Sequence, residues 1–107
     1  MPENSPSWLT EPCPAWCAGD HAEGDHPEDH AHRSSGVDVP VVTRSAVLEG
    51  SRLRYRYGTT EVCIALHRGI GSDETWVYIG DGTVAGGIEM PFESARRVAS
   101  TLSAALA

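Results

Sequence analysis

The chain has 107 residues, room for one small domain with a modest core, and 40% of them are hydrophobic. Fifteen acids against eight arginines, with no lysine, give a formal charge of −7, which disfavours nonspecific binding to phosphate backbones. No stretch approaches the roughly 20 apolar residues of a membrane-spanning helix, and the opening residues hold neither a basic nor an apolar signal region, so a cytoplasmic protein is expected.

Residues 1–11 (MPENSPSWLTE) join two prolines to small polar residues, the composition of a flexible tail. Residues 12–35 are of another kind. They hold two of the three cysteines and four of the five histidines, with Trp16 as the one large apolar side chain. A segment this polar cannot fold by apolar burial, so it is either a solvated linker or organised by something else. Cys13, Cys17 and His21 are spaced four apart and would share one face of a short helix begun at Pro14. Zinc takes four ligands in a tetrahedron and favours thiolate and imidazole; His26, His30 and His32 are all able to complete a Cys2His2 set. In a reducing compartment such a cluster binds metal rather than forming disulfides. Asp20 is the expected partner of an imidazole from outside the ligand set. Trp16, between the cysteines, is expected to clamp the metal knuckle onto the rest of the fold.

From Val37 the pattern turns to strands. Val39–Val47 is a weak candidate, interrupted by Pro40. Residues 52–57 alternate Arg52, Arg54 and Arg56 with Leu53, Tyr55 and Tyr57. Residues 61–67 read as a central strand, with Cys63 in the core and His67 exposed at its end. Cys63 and His67 lie about 13 Å apart along such a strand, too far to share an ion. Residues 75–79 make a fourth strand before the Gly80-Asp81-Gly82 turn. Ala95, Val98, Ala99, Leu102, Ala105 and Leu106 then follow helical spacing, with Pro91 at the start and Glu93 in the first turn. The fold predicted for residues 37–107 is α+β: a small antiparallel β-meander of about four strands, packed by one C-terminal amphipathic helix and preceded by a zinc knuckle.

The run Cys-Pro-Ala-Trp-Cys at 13–17, followed by Asp20-His21, an acidic stretch and His32, resembles a family of small actinobacterial proteins. Its pattern is Cys-Pro-x-Trp-Cys, then Asp-His, a later His, strands and an alanine-rich terminal helix. The family is a domain of unknown function, so the resemblance implies an architecture and a metal site rather than an activity. By position in that pattern it implies His32 as the fourth ligand, with His26 in reserve.

Three functions compete. A protein-interaction or regulatory module with one structural Zn2+ fits the small size and a site whose four ligands are closed to substrate. It has no catalytic residues, and its partner is another protein. A nucleic-acid regulator would use the Arg52/Arg54/Arg56 strand, yet its arginines and tyrosines sit on opposite faces, unlike the joint platform of single-strand binders. A zinc hydrolase would need an open coordination position and a base such as Glu23 or Glu28.

Overall fold

The computed structural model describes residues 5–107; of the expected tail, residues 1–4 lie outside the described residues. A 3₁₀ turn (Pro27–Asp29) precedes β1 (Ala31–Arg33), β2 (Val37–Glu49), β3 (Arg52–Gly69), β4 (Trp76–Gly80), β5 (Gly87–Pro91) and α1 (Phe92–Leu106). All strand pairings are antiparallel, and with one C-terminal helix the fold is α+β.

β3 is the spine. β2 pairs with its first two thirds, from Glu49↔Arg52 to Val37↔Ile64, and β1 pairs with its end, from Arg33↔His67 to Ala31↔Gly69. β1 and β2 therefore lie end to end along one edge of β3. Ser34 bridges them: its N–H donates to the Leu66 carbonyl at 3.0 Å and its Oγ accepts from the Leu66 N–H at 2.8 Å. Gly36 follows with φ +79°, a conformation L side chains avoid.

The two stretches predicted as separate strands, 52–57 and 61–67, are one strand. Gly58 lacks a side chain, but its backbone stays in the ladder opposite Thr43, whose hydroxyl donates to the Gly58 carbonyl at 3.3 Å. The two-residue Gly50-Ser51 turn closes the hairpin, with Gly50 supplying φ +64°. β5 was absent from the sequence reading because the glycine-rich run before it looks like loop. The Asp81–Gly86 turn directs it back: Asp81 accepts from the Thr83 N–H (2.9 Å) and hydroxyl (2.6 Å), and the Tyr78 hydroxyl donates to the Thr83 carbonyl (2.7 Å).

The helix runs where its periodicity predicts, with Glu93 in its first turn. It packs beside β4 and β5, and its Phe92 N–H donates to the Thr75 carbonyl at 2.9 Å. Phe92 follows β5 with no linker, and Val98, Leu102 and Leu106 of the apolar stripe are exposed. No described helix is long and apolar enough to cross a membrane. The buried apolar residues among the described ones are Pro6, Leu9, Ala31 and Val77, and the one fully buried large side chain is His32. Three of these, Pro6, Leu9 and Ala31, belong to the N-terminal part that carries Cys13 and Cys17.

Candidate metal centre

No helix forms at Pro14. The Cys17 N–H closes a single turn onto the Pro14 carbonyl at 3.0 Å, and Gly19, at φ +79°, reverses the chain so that His21 folds back over it. The Cys17 sulfur accepts from the Gly19 N–H at 3.4 Å. The Ala18 N–H donates to the Arg33 carbonyl at 2.8 Å and docks this loop on β1. A turn and a β1 residue thus do what the helical spacing was expected to do.

Ligand-type atoms of Cys13, Cys17, His21 and His32 all lie within 4.8 Å of one another. His21 Nε2 is 3.3 Å from Cys13 Sγ and 3.5 Å from Cys17 Sγ. In a zinc tetrahedron with Zn–S near 2.3 Å and Zn–N near 2.05 Å, neighbouring S and N ligands stand about 3.6 Å apart. The spacing suits an ion at the centre. No disulfide joins the thiols. Loss of water around its sulfur pushes the Cys13 thiol up, and the adjoining Cys17 thiol and the Glu11 carboxylate add to the effect.

His32 is fully buried. Its Nε2 lies 3.1 Å from Glu11 Oε2. Glu11 also accepts from the Gly71 N–H at 2.6 Å and from Arg68 at 3.3 Å. The Gly71 and His32 hydrogen bonds hold the Glu11 carboxyl below its usual range. An ionised carboxylate only accepts, so Nε2 is the donor toward Glu11; in the neutral ring that leaves the lone pair on Nδ1. That Nδ1 is buried and has no hydrogen-bond partner among the described residues. A carboxylate behind one ring nitrogen and a bare lone pair on the other is how metal-bound histidines are held.

The remaining candidates lie elsewhere. His26 caps the 3₁₀ turn, its Nδ1 accepting from the Glu28 N–H at 3.2 Å. His30 places Nε2 3.1 Å from the Asp25 carbonyl and stacks on Trp8 with ring centroids 4.0 Å apart. Asp20 is exposed and forms no hydrogen bond with His21 or His32; Glu11 fills the role expected of it. Trp16 meets the His32 ring edge-on at 6.5 Å, linking knuckle to sheet. His67, expected to be exposed, is half-buried between β1 and β4, where burial, and then the nearby Arg33 charge, push its pKa down. Cys63 is likewise partly covered, and burial followed by Asp38 pushes its thiol up.

Sequence reasoning missed the contribution of residues 7–11. The Trp8 indole N–H donates to the Ala22 carbonyl at 2.9 Å, Ser7 donates through N–H and hydroxyl to Glu23 at 2.9 and 2.6 Å, and Leu9 is buried. The signal available was a Trp-Leu pair within an otherwise polar tail. Glu23 is occupied by Ser7, and Glu28 projects into solvent beside His26, so neither is poised as a base at the cluster. On the arginine strand, Arg54 pairs with Glu49 at 2.9 Å, while Tyr55, on the other face, is covered by Arg44 at 4.3 Å.

A family model described as a domain of unknown function, DUF6907, matches residues 2–107. No curated protein and no solved structure matches the chain.

Proposed function

The chain belongs to the DUF6907 family, and from the geometry of its Cys/His cluster we infer that it is a small zinc-stiffened module that works through contacts with other protein surfaces. Cys13, Cys17, His21 and His32 would be the ligands of one Zn2+, with Glu11 orienting His32. The observation that carries this reading is the buried His32, with Nε2 3.1 Å from the Glu11 carboxylate and a buried Nδ1 that has no partner among the described residues. Two thiolates favour zinc over the oxygen-seeking divalent ions. Four protein ligands leave no position for a substrate or an activated water, so the role is structural and the protein is not an enzyme. Unpaired thiols suit the cytoplasm.

The ion would substitute for a core. Where few apolar side chains are buried, metal binding supplies folding free energy directly. Native mass spectrometry with elemental analysis is expected to give one zinc per chain, and chelation is expected to loosen residues 7–35 while β3 and β4 stay protected from amide exchange. Purified protein that holds no zinc after incubation with the metal, and is unaffected by chelator, would overturn the reading.

A further inference from the structure

The surface is too large for a chain this size. A folded monomer of 11.4 kDa exposes about 5,800 Å² by the usual mass scaling, whereas this one exposes 8033 Å². Its radius of gyration is 18.1 Å and its long axis 61 Å, against about 13 Å expected of a compact domain of this length. The excess area, on the order of 2,000 Å², matches what one partner contributes to an obligate interface.

The sheet carries a continuous apolar row. Val37, Ile64, Ile79 and Ile88 pair in a straight row across β2, β3, β4 and β5. Cross-strand partners share a face, so this row, with Val39 and Val62 beside it, is a single β-branched surface. Its ends are bare, with Val37 63% and Ile88 60% exposed, while Val39 and Ile64 are each 39% exposed and Val62 and Ile79 are half-buried. Val98, Leu102 and Leu106 of the neighbouring α1 are exposed as well. Isolated apolar side chains at a surface are ordinary, but a row spanning four strands marks an interface.

We propose that this face is covered by a second copy of the chain, forming a two-fold homodimer. A core of so few buried apolar side chains cannot hold the sheet by itself, so the cover must be present whenever the chain is folded and in one-to-one amount. Another copy meets both conditions. Charge supports an antiparallel two-fold arrangement. The hairpin tip, residues 43–58, carries Arg44, Arg52, Arg54 and Arg56 against the single acid Glu49, while the whole chain is at −7. Turned antiparallel, each basic tip lies against the acidic body of the other copy. The proposal does not depend on zinc.

Sedimentation equilibrium of the zinc-supplemented full chain at micromolar concentration is expected to give twice 11.4 kDa, with a Tm that rises with protein concentration. Ile88→Arg on the sheet row and Leu102→Arg on the helix are each expected to weaken association at least tenfold. Should either variant fail to fold, the concentration dependence of the unaltered protein carries the test. A mass of 11.4 kDa with a concentration-independent Tm overturns the proposal and leaves the face to a different protein. A mass above the dimer overturns the two-fold pairing. An intact dimer in both arginine variants places the interface elsewhere.

Discussion

Glu11→Gln tests the metal centre through a residue that is not a ligand. The exchange keeps the length of the side chain and removes its charge. In the structure the two carboxylate oxygens accept from three groups: the Gly71 N–H at 2.6 Å, His32 Nε2 at 3.1 Å and Arg68 at 3.3 Å. Glutamine has one acceptor oxygen and one donor amide. If the oxygen faces Gly71, the amide meets the Nε2–H and Arg68, donor against donor; if it is flipped, the clash moves to Gly71. Either way His32 loses its negative partner or its support loses its anchor. Losing such a partner lowers metal affinity about 10- to 100-fold, with Cys13, Cys17 and His21 still in place. Competition against a chromogenic chelator at neutral pH measures this directly. An affinity within twofold of the unaltered protein, with the fold intact, would show that Glu11 does not orient His32 or that His32 does not bind the ion.

Cys17→Ser exchanges a thiolate for a poor neutral ligand and is expected to abolish stoichiometric zinc; amide exchange should then quicken across residues 12–35, with 62–66 still protected. Cys63→Ala and His67→Ala are expected to retain one zinc per chain by elemental analysis, since both belong to β3 and stand outside the cluster. Arg54→Ala should change stability by less than about 1 kcal/mol in denaturant titration, because its ion pair with Glu49 is solvent-exposed. Thr83 holds the Asp81 carboxyl below its usual value. A lowered folded pKa contributes stability that is present above the ordinary carboxylate range and lost as pH falls through the folded value. Asp81→Asn is therefore expected to be less stable than the unaltered protein at pH 7, with the gap closing on strong acidification; a gap that persists in acid would mean that the turn is held otherwise.

Local pattern was enough wherever a residue's neighbours in sequence decide its conformation. The stripe from Ala95 to Leu106 encodes α1, the alternation from Arg52 to Tyr57 encodes the outer part of β3, and the density of cysteine and histidine at 13–32 marks the segment whose Cys13, Cys17, His21 and His32 could hold a metal ion. Where a partner far along the chain decides, sequence was silent or misleading. The four-residue spacing of Cys13, Cys17 and His21 suggested a helix, but the Gly19 reversal and the Arg33 carbonyl set a turn instead. The choice among three histidines, left open by spacing, follows from register: β1 pairs His32 with Arg68, which shares Glu11 with it. Glu11 itself is 57 residues from Arg68 and 60 from Gly71, and no local pattern announces such contacts. Spacing along a chain fixes which atoms are near in one element, whereas a tetrahedral site and its carboxylate support gather atoms from several, so only the folded sheet could bring them to one point.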